Sequence, residues 1–71
     1  MVNTSVLDLK IEQSGLRTSY IIEKIGISKQ AFYKKKENKT PFRIAEMYVL
    51  SDLLNLSDQE KQNIFFADEV N

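Results

Sequence analysis

Ile21-Ile22-Glu23-Lys24-Ile25-Gly26-Ile27-Ser28-Lys29-Gln30-Ala31-Phe32-Tyr33-Lys34-Lys35-Lys36 is the stretch that decides how this chain folds. Ile21, Ile22 and Ile25 fall at i, i+1 and i+4, the compact apolar face of a short helix. Gly26 then accepts the left-handed backbone that stops a helix and turns the chain. Ser28 can accept a hydrogen bond from a free backbone N–H at the start of a second helix. Ile27, just before that cap, and Phe32, at the fourth helical position, have the spacing of a hydrophobic staple. Ala31 and Phe32 therefore face inward. Lys29, Gln30, Tyr33 and Lys34 share the opposite face, because 29/33 and 30/34 are each four apart. This helix fades near Glu37, with Asn38 as its cap.

Outward from this stretch the pattern is helical throughout, with one proline, two glycines and no convincing period-two alternation. A first helix is expected from about Ser5 to Ser14, with Val6, Leu7, Leu9, Lys10 and Ile11 giving a mostly apolar face. Gly15 stops it, and Leu16 plugs the core. The second helix runs from about Ser19 to Ile25 with Thr18 as N-cap. Thr40-Pro41 opens the fourth, with threonine as cap and proline at the first helical position. Its apolar face is Ile44, Met47, Tyr48, Leu50, Leu53 and Leu54, and Asn55 ends it. Ser57-Asp58-Gln59-Glu60 has capping-box spacing and starts a fifth helix reaching about Phe66, with Ile64, Phe65 and Phe66 apolar. The expected fold class is all-α, a single five-helix domain over 1–71. The order helix, short turn, polar helix over about 18–37 is that of a helix-turn-helix, whose second helix enters a DNA major groove.

Composition removes most chemistry. The 71 residues contain no cysteine and no histidine, so neither a thiolate metal site nor the commonest general base is available. No enzyme activity, metal or cofactor is expected. No apolar run approaches the roughly 20 residues of a membrane span. Met1-Val2-Asn3-Thr4-Ser5 lacks the basic and apolar regions of a secretory signal.

The formal net charge of zero hides an asymmetry. Between Lys24 and Arg43 seven bases stand against Glu37 alone, while the remainder carries three bases and nine acids. The basic segment can attract phosphate. The acids, among them Glu46, Asp52, Asp58, Glu60, Asp68 and Glu69, serve either as a solubilising surface or as a docking face for a basic protein.

The chain resembles the Cro/CI-type (XRE) helix-turn-helix regulators of phages and bacteria. The likeness rests on Gly15-Leu16, Ile21, Ile25-Gly26-Ile27-Ser28 and Phe32, and extends through Asn55-Leu56-Ser57. It implies a cytoplasmic protein of a bacterial host cell that binds double-stranded operator DNA, as a homodimer on inverted half-sites. By the same resemblance, Lys29, Gln30, Tyr33 and Lys34 read base edges. The chemistry agrees, since lysine donates to guanine and glutamine pairs with adenine. Thr18, Ser28, Lys35, Lys36, Lys39 and Arg43 are the corresponding phosphate contacts. Four residues depart from the family. Ile22 replaces a usual alanine, and Asn38 stands where glycine is common. Lys35 and Lys36 replace an apolar residue, which would leave the last turn of the third helix less anchored.

The leading expectation is thus a Cro-like transcriptional regulator of a phage lysogenic/lytic switch. The alternative is an anti-repressor that binds a CI-type repressor and blocks its operator binding. A chain of this size and neutral charge resembles the modulator-of-repression (MOR) proteins of lactococcal temperate phages, and the zero net charge, the charge asymmetry and Thr18, which stands where the Cro/CI family often has glutamine, favour this alternative over an ordinary Cro. Tyr20, Tyr33, Phe66 and Val70 are the candidate partner-interface residues. Tyr33 suits a DNA or protein contact and a peripheral core position equally. Phe42 and Tyr48 are expected in the core. Phe65 and Phe66 are adjacent, so one helix face cannot bury both, and the outer one with Val70 could form a self-association patch.

Overall fold

The computed structural model describes residues 1–66 and contains five helices and no strand among them: α1 (Thr4–Ser14), α2 (Thr18–Ile25), α3 (Lys29–Lys36), α4 (Ile44–Leu53) and α5 (Asp58–Phe65). The all-α class holds. No helix among the described residues is long and apolar enough to cross a membrane. Val70 lies outside the described residues.

Each helix end has an identifiable local cause. Asn3 caps α1, its Oδ1 accepting from the Val6 backbone N–H at 3.3 Å, so the helix starts one residue before the expected Ser5. Ser14 Oγ donates to the Ile11 carbonyl and accepts from the Leu16 N–H, which carries Leu16 back toward the core. Gly26 sits at φ 83, and its N–H bonds the Ile22 carbonyl to close α2. Ser28 caps α3 by accepting from Ala31 N–H at 3.1 Å. Ser57 and Glu60 make the full reciprocal box at the start of α5.

Two expected starts are wrong. Thr18 is not an N-cap but the first residue of α2. Arg17 holds the capping position with extended backbone and no side-chain bond, its carbonyl already accepting from Ile21. Thr40-Pro41 does not open α4, which begins at Ile44. The intervening chain instead carries Phe42 into the core, leaving it 4% exposed. Arg43 becomes the N-cap, and Glu46 reaches back to accept from its backbone N–H at 2.8 Å. That is the carboxylate half of a capping box, supplied where arginine has no acceptor of its own.

The core centres on Leu7, Ile21, Phe32, Leu50 and Ile64, all fully buried, with Val2, Phe42, Leu54, Leu56 and Phe65 around them. α2 packs against α3 and α4, and α1 against α5. Phe32, Phe42 and Phe65 form an edge-to-face ladder with centroids 6.3 and 6.0 Å apart. Such ring pairs contribute about 0.5–1.5 kcal/mol each beyond their buried area.

The apolar faces read from the sequence are partly wrong. Leu9 is exposed on α1. On α4, Leu50, Ser51 and Leu54 turn inward while Ile44, Ala45, Tyr48 and Asp52 share the outer face. Ile44 is 70% exposed and Tyr48 68%, so neither is a core residue.

Candidate functional site

Two surfaces carry chemistry, and they meet at the start of α4. The first is the outer face of α3. Lys29, Gln30 and Lys34 are exposed there, as the four-residue spacing required. Gln30, Lys34 and Ser28 line a shallow cleft together with Thr40, Pro41 and Arg43. Lys29 and Tyr33 line a second cleft with Thr18, Ser19 and Ile22. Tyr33 is half-buried with its ring edge-on to Phe32, centroids 5.6 Å apart. It therefore belongs to the core margin and borders the cleft at once.

Lys35 and Lys36, expected on phosphates, are each paired with a carboxylate, Lys35 with the buried Glu46 and Lys36 with the exposed Asp8, and Lys35 also lines the cleft with Gln30 and Lys34. Lys35 Nζ lies 2.5 Å from Glu46 Oε1, with its side chain only 13% exposed. Lys36 Nζ lies 2.8 Å from Asp8 Oδ1 and 4.9 Å from the Tyr33 ring centroid, with its side chain 16% exposed. The physical reason is the demand of the neighbours. Glu46 is buried and would lose its ion-pair partner if Lys35 swung out. The last turn of α3, expected to be loosely anchored, is held by these two ion pairs.

Burial pushes the Glu46 carboxyl up. The Lys35 hydrogen bond, the Arg43 backbone N–H and the two positive charges together outweigh burial and hold it below the usual glutamate range. Lys39 stays exposed and 3.3 Å from Glu37, a surface pair that contributes little. The cations left on this face are Lys29, Lys34, Lys39 and Arg43.

The second surface was missed in the sequence. Ile44, Met47, Tyr48 and Phe66 line a groove of about 570 Å³ between α4 and α5, with Asp58 and Lys61 on its rim. Met47 and Phe66 are half-buried, and Phe65 lies at 4% exposure beneath them. Tyr48 also borders a smaller cleft with Asp52, Asn55 and Lys61. One signal was legible. Ile44, Tyr48 and Asp52 recur at i, i+4 and i+8, and an aspartate at the end of that row marks it as a solvent-facing row. Of the expected partner residues that are described, only Phe66 joins this groove. Tyr20 lines neither the groove nor the two α3 clefts; it is 41% exposed, with Lys24 Nζ 5.5 Å from its ring centroid.

Among the described residues no group of carboxylates is arranged to hold a metal ion. Comparisons with protein-family models, with curated proteins and with solved structures return no match.

Proposed function

We propose that this protein is a small regulator that works by protein–protein contact, as an anti-repressor that covers the basic recognition helix of a CI-type repressor. The observation that carries the reading is the exposure of Ile44 and Tyr48 in one groove with Met47 and Phe66. Leaving such side chains in water forgoes roughly 1.5–3 kcal/mol each, which a docked partner would recover. Tyrosine and methionine are also enriched in protein interfaces. From Asp52 onward the chain carries five acids against Lys61 alone. An apolar groove in an acidic part of the sequence, with Asp58 and Lys61 among its lining residues, suits an amphipathic helix bearing lysine or arginine, the helix-in-groove mode of recognition. A helix that reads DNA has that character, and masking it would compete with operator binding.

The test is fluorescence anisotropy of a labelled operator duplex saturated with the CI-type repressor encoded with this chain. Added protein should release the duplex stoichiometrically. Unchanged anisotropy at saturating protein would overturn the reading.

A second reading is direct, Cro-like DNA binding through α3. The exposed Lys29, Gln30 and Lys34 beside Arg43 favour it. With four cations available, the log–log salt slope would be about −3 to −4 per bound unit. Binding of the duplex by this protein alone, preferring one sequence and weakening with salt, is its test. A homodimer on inverted half-sites belongs to this reading.

A further inference from the structure

The first residues of the chain are bonded to three separate elements. Val2 is 8% exposed. Its backbone N–H donates to Asn38 Oδ1 at 2.7 Å, and its carbonyl accepts from Asn38 Nδ2 at 2.9 Å. Asn3 N–H donates to the Ile64 carbonyl of α5 at 2.7 Å. Thr4 Oγ1 donates to the Lys36 carbonyl at the end of α3. Asn38 itself stands at φ 65, two residues past the end of α3.

Two demands meet at Asn38. The left-handed backbone favours asparagine or glycine. The bracket on Val2 needs an acceptor and a donor on one planar group, which the asparagine amide supplies. Glycine meets the first demand alone. Aspartate keeps an acceptor for the Val2 N–H but would set an oxygen against the Val2 carbonyl.

We propose that Asn38 is a positioning residue that makes Val2–Thr4 a strap, fixing the C-terminal end of α3 against α1 and α5. The orientation of the α3 outer face is then set from the N-terminus of the chain, whichever macromolecule that face or the neighbouring groove meets. Lys36, paired with Asp8, closes the same junction from the other side.

The test is amide hydrogen exchange by NMR on the full chain carrying Asn38→Gly, which preserves the turn and removes the bracket. Exchange of the Tyr33 to Lys36 amides should accelerate about tenfold or more while the Leu50 and Ile64 amides keep their protection, the pattern of local opening. Thr4→Val, which leaves the turn untouched, should give the same pattern more weakly and decides the matter if Asn38→Gly fails to fold. Unchanged α3 protection in the variants would reduce the segment to a tail. Equal acceleration at every amide would make Asn38 a residue of general stability. Either result overturns the proposal.

Discussion

Lys35 of α3 and Glu46 of α4 meet through a 2.5 Å contact between Nζ and Oε1, and the same oxygen accepts the Arg43 backbone N–H that starts α4. One carboxylate therefore neutralises the inner lysine of the exposed helix and caps the next helix. Breaking such a buried pair costs up to about 3–5 kcal/mol, and residual exposure here lowers that to about 1–3 kcal/mol for Lys35→Met. Chemical denaturation should show a lower midpoint with an unchanged slope. An unaltered midpoint would mean that the pair is dispensable.

The same residue sets an acid response. The folded Glu46 carboxyl titrates below its ordinary value because the hydrogen bonds and positive charges outweigh burial. A depressed carboxylate contributes stability above its unfolded pKa of about 4.3, and loses it as pH falls through the lower folded value. Thermal midpoints should fall on acidification below about pH 4.5. Glu46→Gln should lower the neutral-pH midpoint and flatten that fall. An equally steep acid limb in the variant would assign it to other carboxylates.

Gly26 tests the turn between α2 and α3. A Cβ built there meets nothing within 4 Å, so its cost is one of backbone alone at φ 83. Gly26→Ala should destabilise by about 1–2 kcal/mol, the penalty of left-handed backbone for a residue with a side chain. The measurement is a urea titration. A cost much above this would reveal a rearranged turn.

Ile44→Ala and Tyr48→Ala separate working surface from core. Both side chains are largely exposed, so folding stability should move by no more than about 0.5 kcal/mol. Affinity for a repressor should fall about tenfold or more if these are anchoring residues of the groove. Calorimetric binding beside a thermal melt reads both quantities. Loss of stability with intact binding would return these residues to the core and remove the groove from function.

Lys34→Ala and Lys36→Ala distinguish free from engaged lysines. Under the DNA-binding reading, Lys34→Ala should reduce the magnitude of the salt slope by about 0.9. Lys36→Ala should leave the slope unchanged and cost about 0.5–2 kcal/mol in stability, because its ammonium serves Asp8 and the Tyr33 ring. Equal effects of the two variants on the salt slope would show that Lys36 leaves Asp8 and the Tyr33 ring when DNA binds.

The helices and most of their ends were determined by the sequence itself. Ser28, Ser57 with Glu60, Gly15 and Gly26 act through bonds or backbone angles that span only a few residues, so their spacing carries the information. The outer row of α3 was legible for the same reason. Tertiary structure alone decided which side of α4 is covered, where α4 begins and which lysines remain free. Ile44 and Tyr48 have core-like chemistry, yet α4 is seated by Leu50 and Leu54 and turns them to solvent. Lys35 and Lys36 read as phosphate contacts until Glu46, eleven residues from Lys35, and Asp8, twenty-eight residues from Lys36, arrive beside them. Spacing along a helix tells which residues share a face. Only packing tells what that face meets, because burial and charge pairing are properties of neighbours distant in the chain.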